Sequence, residues 1–401
     1  MTHMRSDSVQ WLLGTDNVVI CPMKPYSDLA VEFLDELSSL LRKSVKPGEY
    51  PDIISLAFWC RKGNVLKLKE RTLDVDSSLG KGLVFHITPS NVPVNFAFSF
   101  FFGLLSGNSN IVRVPSKDYP QTDIICGAIA KMLENEKYNK IKVGTAFVKY
   151  GHDQVITDRL SLMADARVIW GGDESIKNIR KSPLKSKATE IVFADRYSFG
   201  VISEAAVVNA SDEEIRSLAH SFYNDTYLMD QNACSTPHLI LWLKDFKRDG
   251  IDPRKRFWQA VYEEAGHYDL EPIKAVDKFT DYCNMVMKGN VSISYTNKWD
   301  NLLYAIGLEE MTTDITVMRG RFGMFYEAGI EELNQLVPYI NSKVQTAMYY
   351  GVDKEALKSM VLDNGLTGID RIVPFGKALD IGVFWDGYDI IGQLSRRISF
   401  E

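Results

Sequence analysis

The sequence predicts an α/β protein built around a largely parallel sheet. Between about Gly80 and Ser203, short apolar runs alternate with longer segments of helical periodicity. Such alternation makes right-handed crossover units, which set strands side by side in one direction. A second α/β region follows a helical pattern of about five turns and runs on to about Pro374. At 401 residues the chain is long enough for two or three domains.

Ahead of Gly80 the pattern is mostly helical, notably over 28–43. Residues 82–87 are predicted as a buried strand, followed by a helix over 94–106. The next strand is 110–114, and a helix over 118–134 follows with Asp118 as its N-cap. A third strand is expected over 141–150 and a third helix over 154–163. The fourth strand, 166–170, ends in Gly171-Gly172. In parallel sheets ligands sit beyond the carboxyl ends of the strands. Residues 86–91, 113–117 and 171–175 fall at those ends. Ser211-Asp212-Glu213-Glu214 opens a helix expected to reach Met229, its serine and acids complementing the N-terminus. Toward the end of the chain, 369–373 and 382–385 are strand-like.

Composition excludes several classes. Apolar content of 45% and charged content of 24% are those of an ordinary globular protein. A net charge of −6 without a basic stripe argues against nucleic acid as a partner. The five cysteines are scattered and form neither a disulfide framework nor a C-x-x-C pair, as expected in a reducing compartment. Residues 1–14 lack the basic-then-apolar build of a signal peptide, and the run 96–105 is about half the length a spanning helix needs. A cytoplasmic protein without membrane insertion is therefore expected. His86, His152, His220, His238 and His267 are separated, with no H-E-x-x-H or Cys/His cluster, so no metal is expected. His86 reads as a core histidine. The fingerprints G-x-G-x-x-G and G-x-x-x-x-G-K-[ST] are both missing.

Two segments carry chemistry. Asp230-Gln231-Asn232-Ala233-Cys234-Ser235-Thr236-Pro237 holds one thiol between the long helix and the apolar run 239–243. A loop at such a junction can aim a nucleophile; the alternative is a buried structural cysteine. Phe85-His86-Ile87-Thr88-Pro89-Ser90-Asn91-Val92-Pro93 places Asn91 after the first strand, in a segment that reads either as the other half of an active site or as a plain turn.

These segments, with Gly103-Leu104-Leu105-Ser106-Gly107-Asn108, Trp170-Gly171-Gly172-Asp173, Gly368-Ile369-Asp370-Arg371-Ile372-Val373-Pro374-Phe375-Gly376 and Trp385-Asp386-Gly387, resemble the LuxC-type acyl-CoA reductases of the aldehyde dehydrogenase superfamily. The resemblance runs over residues 80–401. It implies an aldehyde dehydrogenase-like fold: a Rossmann-like NADP(H)-binding domain over 1–205 with the helical N-terminal region, a catalytic domain over 206–375, and a tail over 376–401 that returns to the cofactor domain or makes an oligomer contact. The active site would lie in the cleft between the domains. Superfamily members bind the nicotinamide cofactor without the glycine fingerprint.

By the same resemblance, Cys234 is the nucleophile and Asn91 the oxyanion donor. Thr88, Pro89 and Ser90 line the cofactor site, with Gly171 and Gly172 as further contacts and Phe322, in Gly320-Arg321-Phe322-Gly323, beside the nicotinamide. Arg113 would grip a 2′-phosphate, with Lys117 as a second candidate, so NADPH is preferred over NADH. Glu190 stands where an aldehyde-oxidising relative carries its water-activating glutamate. Here Asp195-Arg196 replaces the expected glycine pair and lysine, so Glu190 reads as a strand-edge residue, with proton transfer as the alternative role.

The implied activity is reduction of an acyl-CoA or other acyl thioester to the aldehyde through an acyl-cysteine. The alternatives are aldehyde oxidation and a non-catalytic acyl-transfer or scaffold subunit. The resemblance also implies an acyl-activating ligase partner of the acyl-protein synthetase type, and a homo-oligomer.

Overall fold

A computed structural model describes residues 9–46, 48–72, 74–90, 92–245 and 250–401. The chain divides into two compact units, one running to Ala194 and resuming over Gly382–Glu401, the other spanning Asp195–Ile381.

The first unit holds a six-stranded sheet of β1 (Gln10–Leu13), β2 (Leu83–Ile87), β3 (Ser109–Arg113), β4 (Thr145–Lys149), β5 (Ala166–Trp170) and β6 (Thr189–Phe193). Its order is β1-β4-β3-β2-β5-β6. All pairings are parallel except that of β1 with β4. The chain builds outward from β2 through β3 to β4, then crosses to the other side of β2 for β5. That reversal is a topological switch point, where sheets of this type bind ligands beyond the strand ends. Every residue of β2 is buried, as expected for a parallel strand covered on both faces. The helix Asn95–Leu105 covers one face, its Phe96 and Phe100 meeting Phe147 of β4 edge-on at 5.8 and 5.2 Å.

His86 is fully buried on β2 and bonded at both ring nitrogens, to Ser99 Oγ at 2.8 Å and Asn110 Oδ1 at 3.0 Å. Ser99 also accepts the indole N–H of Trp170 at 2.9 Å. Burial pushes the His86 pKa down to about 4, so the ring stays neutral. It is the core histidine the sequence suggested.

Two expected elements differ. The helix after β3 spans Pro120–Met132, with Pro120 in its first turn, and Asp118 pairs with Lys149 instead of capping it. A proline there needs no N–H partner and presets the helical φ. The expected strand over 141–150 splits into a short helix, Asn139–Val143, and β4 beyond Gly144; apolar residues alone cannot separate those states.

Within Gly382–Glu401, Ser395–Arg397 pairs antiparallel with Ser78–Gly80. Phe384–Trp385 and Tyr388–Asp389 form a hairpin whose two loop residues, Asp386 and Gly387, have φ of 50° and 74°. Two successive left-handed residues make the turn that matches strand twist, and Asp-Gly suits it. Trp385-Asp386-Gly387 is thus a turn motif, which seats Tyr388 against Phe193 at 5.8 Å.

The second unit holds β7 (Tyr197–Ser203), β8 (Pro237–Leu243), β9 (Ile293–Trp299), β10 (Leu303–Leu308), β11 (Met324–Ile330), β12 (Val344–Tyr350) and β13 (Arg371–Pro374). The order is β9-β10-β11-β8-β7-β12-β13, parallel except for the β9–β10 hairpin. On one face the helices Asp212–Thr226 and Pro253–Ala265 bring Phe222, Phe257 and Trp258 over Ile240, Trp242 and Phe325. The helices Pro272–Lys288 and Lys354–Asp363 add Tyr282, Met285, Leu357 and Met360 to the core of the other. A capping box between Ser211 and Glu214 starts the first of these helices. It ends at Thr226, with a tighter turn, Tyr227–Met229, beyond it.

The segment 368–376 is structural here. Asp370 pairs with Arg196, and Arg371 donates to the main-chain oxygens of Ala378 at 3.0 Å, Lys377 at 3.2 Å and Asp380 at 3.1 Å. Phe375 fills the space a side chain at position 200 would need: a Cβ on Gly200 would stand 2.4 Å from its ring. Among the described residues no helix is long and apolar enough to cross a membrane, and no group of three or more His, Cys, Asp or Glu could hold a metal ion.

Candidate active site

Cys234 lies in the turn that connects the helix Asp212–Thr226 to β8, at the amino edge of the second sheet, and is half-buried. The approach is strained: Asp230 and Gln231 have φ of 53° and 62°, a left-handed region that side chains with a Cβ disfavour. Main-chain bonds hold the turn, Gln231 N–H to Thr226 O at 2.8 Å, Asn232 N–H to Met229 O at 2.8 Å and Thr236 N–H to Ala233 O at 3.0 Å. Ser198 Oγ donates to Cys234 O at 2.8 Å, and the Thr236 hydroxyl donates to Asp225 O.

The carboxylate of Asp230, which could have faced the thiol as an unbalanced charge, is held by Lys274 at 3.1 Å and by the Tyr268 hydroxyl. The Asp225 carboxylate is buried beneath the loop that precedes Gly382, where it accepts the N–H groups of Gly376 at 2.6 Å and Ala378 at 2.9 Å. Burial pushes its pKa up to about 7, and those two N–H groups oppose the shift. His238 is stacked on Tyr197 at 5.4 Å. Burial and then the charge of Arg319 push its pKa down to about 3, which leaves it neutral.

Phe322 joins this turn. It is buried at φ 57°, and its N–H donates to Asp230 O at 3.3 Å. Gly320 is required ahead of it, because a Cβ there would stand 1.7 Å from Met324 O. Behind it the ammonium of Lys278, with no exposed surface, donates to Phe322 O at 2.7 Å and to Asn301 O. Burial pushes the Lys278 pKa down to about 7. Thus the Cys234 and Phe322 segments, 88 positions apart, share one joint.

The other expected site residues stand on the first unit. Thr88 is buried just beyond β2 and donates to Arg113 O at 2.7 Å. Pro89 and Ser90 follow it half-buried; Ser90 Oγ meets Ser116 Oγ at 2.9 Å, and Ser90 O accepts from the Tyr119 hydroxyl at 2.9 Å. Gly171 and Gly172 lie beyond β5, across the switch point, and a Cβ on Gly172 would meet nothing within 4 Å. Their helix, Asp173–Ile179, is only seven residues long and begins with two acids. Asn91 lies outside the described residues.

Two expectations meet a definite arrangement. Arg113 does not offer its guanidinium outward: it donates to Tyr150 O at 3.3 and 3.4 Å and Gly151 O at 2.8 Å, and lies over the Tyr150 ring. Lys117 is exposed. Glu190 on β6 is held by Arg167 at 2.9 Å and Arg180 at 2.7 Å, Arg167 itself being buried. With both carboxylate oxygens engaged by guanidiniums, Glu190 is not free to hold a water.

Sequence reasoning missed Gln231, Lys278 and Asp225. Gln231 stood inside the cysteine motif, and Lys278 breaks the apolar face that Tyr282 and Met285 continue one and two turns on. Asp225 gave no signal. A cavity of about 530 Å³ elsewhere on the second unit is lined by Arg254, Lys255, Trp258, Tyr295, Trp299 and Glu327, among others, and not by Cys234.

A family model described as acyl-CoA reductase (LuxC) matches residues 63–263, half of the chain. The chain belongs to that family. This LuxC-family chain is 23% identical over 339 residues to a long-chain acyl-protein thioester reductase of Aliivibrio fischeri, covering 80% of this chain and 64% of that one. It is 26% identical over 340 residues to the protein of that name from Photobacterium phosphoreum, covering 81% and 64%. It therefore spans just under two thirds of those relatives' length. Among solved structures it is similar to a Thermus thermophilus 1-pyrroline-5-carboxylate dehydrogenase, with TM-score 0.59, 12% identity and 94% and 83% coverage of the two chains. An indole-3-acetaldehyde dehydrogenase solved with NAD+ gives TM-score 0.58, 14% identity and 93% and 81% coverage. The LuxC-family chain thus has the aldehyde dehydrogenase-like fold.

Proposed function

We propose that this LuxC-family chain reduces an acyl thioester to the aldehyde through Cys234. The observation that carries the reading is the Cys234 turn, a half-buried thiol held at a sheet edge by Ser198, Thr236 and Gln231 and joined to the Phe322 segment. Packing alone gives no reason for so braced a turn to end in a thiol. The names of the acyl-protein thioester reductases it resembles add support.

In this mechanism the Cys234 thiolate attacks the thioester carbonyl. The tetrahedral alkoxide is stabilised by the Asn91 amide and the Cys234 main-chain N–H, each such donor being worth about 10²- to 10³-fold in rate. Collapse expels the donor thiol as its thiolate and leaves an acyl-Cys234. NADPH supplies the hydride when bound. With that hydride on the acyl carbon, the group held by Cys234 would be a thiohemiacetal alkoxide, whose collapse frees the aldehyde and returns the Cys234 thiolate.

The first unit suits such a cofactor, because its switch point is bordered by Thr88, Pro89 and Ser90 beyond one strand and by Gly171 and Gly172 beyond the next, with open space at Gly172. With Arg113 engaged internally, Lys117 becomes the residue for a 2′-phosphate, and NADPH stays the preferred form over NADH. Phe322 would pack against the nicotinamide. The acyl donor is a CoA ester or an acylated partner protein of the ligase type, and the enzyme works as a homo-oligomer in the cytoplasm.

Aldehyde oxidation is disfavoured by one observation: Glu190 is locked between Arg167 and Arg180. The reading is tested with C234A and a series of acyl-CoA esters of graded length. Acyl labelling of the chain and NADPH consumption should vanish together in the variant. Aldehyde formation surviving in C234A would refute the mechanism.

A further inference from the structure

Gln231 stands three residues before Cys234 and is 1% exposed. Its carboxamide is satisfied at both ends by the start of β11. Oε1 accepts the N–H of Gly323 at 3.1 Å and of Met324 at 3.3 Å, while Nε2 donates to Met324 O at 2.9 Å. That set fixes the amide's orientation, since a flip would point an NH₂ at two N–H donors. One side chain thereby imitates the edge of a neighbouring strand and joins two loops that are distant in sequence.

We propose that Gln231 is a positioning residue for the Cys234 thiol: its amide sets the height of the thiol loop against the Phe322 segment. The inference rests on the reading of Cys234 as the reactive group. The path from Gln231 to the sulfur is short and pinned at both ends, by Asn232 N–H on Met229 O at 2.8 Å and by Ser198 Oγ on Cys234 O at 2.8 Å. Asp230 and Phe322, bonded at 3.3 Å, lie on the same joint, and both have left-handed backbones that relax if the joint opens. A misplacement of about 1 Å at a reacting atom can lower a rate about 100-fold.

The test uses the full chain carrying Q231E or Q231A. In Q231E the carboxylate still accepts from Gly323 and Met324, but its second oxygen opposes Met324 O. Protonation restores a donor there. The rate of Cys234 alkylation by iodoacetamide, taken relative to wild type, should fall about tenfold or more at about pH 8 and recover toward about pH 5.5. In Q231A it should be low at both. Asp230, Tyr268 and Lys274 stand around the turn, Lys278 and Arg321 beside Phe322, Asp225 behind Thr236, and Arg319 beyond it; Q231A, which brings no charge near them, is the control that separates their influence from that of the carboxyl at position 231.

A folded Q231E that matches wild type at both pH values would overturn the proposal. Should neither variant fold, hydrogen exchange on the wild type decides. Alkylating Cys234 should change exchange at the Gly323 and Met324 amides, and no change there overturns the proposal. Iodoacetamide needs no acyl substrate. A Gln231-dependent thiol that never takes an acyl group would therefore sink the proposed function and leave the positioning role standing.

Discussion

The ammonium of Lys278 donates to the main-chain oxygen of Phe322 at 2.7 Å with no exposed surface of its own. A cation so placed, partnered by carbonyl oxygens and no carboxylate, ties the stability of this joint to pH.

Folding lowers the Lys278 pKa from its ordinary 10.5 to about 7. Between those values the unfolded chain holds the extra proton, so the Lys278 contribution to stability should rise with pH from about 7 to about 10 and be lowest on the acid side. Thermal unfolding of K278M should lose this slope. The melting temperature at about pH 7 should itself drop, because two carbonyl oxygens lose their donor, at about 1–3 kcal/mol for an unsatisfied buried group.

Asp225 acts in the opposite sense. Its pKa rises from 3.8 to about 7 on folding, so the native state holds the extra proton and stability falls as pH climbs from about 4 to about 7. D225N should flatten that limb of the melting profile. With both residues present, their summed contributions should pass through a minimum near pH 7.

Removing the Glu190 charge should harm stability more than turnover. E190Q leaves Arg167 buried without a counter-charge, its acceptors being the new amide oxygen, Ser161 Oγ and main-chain oxygens. Loss of one partner from a buried pair costs about 3–5 kcal/mol, less here because those acceptors remain. Urea unfolding should report the loss, while aldehyde formation stays within about threefold of wild type.

Cofactor preference separates Lys117 from Arg113. K117A should raise the KM for NADPH about tenfold and leave NADH unaffected, as expected for loss of one charge-assisted phosphate contact. R113A should weaken both cofactors alike and lower the melting temperature, since its guanidinium braces Tyr150 and Gly151. Steady-state kinetics with the two cofactors check both outcomes.

Local periodicity was a sound guide to single elements. The strand Ala166–Trp170 and the helix Gln154–Met163 stand at their expected limits, because one apolar run and one amphipathic repeat each had a single reading. It failed at Asp118 and over 141–150, where a proline start and a glycine break outweighed propensity. In Trp385-Asp386-Gly387 the structure shows a hairpin turn. Its Asp-Gly pair is a turn signal that the sequence already carries.

What the sequence by itself determined was the α/β class, the single thiol in a helix-to-strand turn, and the family, because these depend on residue type and order along a short stretch. Only the tertiary structure decided that Arg113 turns inward, that Glu190 is gripped by two arginines, and that Gln231 and Lys278 bind the Cys234 turn to Phe322. Each of those facts pairs residues up to about 90 positions apart, and partners that distant are chosen by packing.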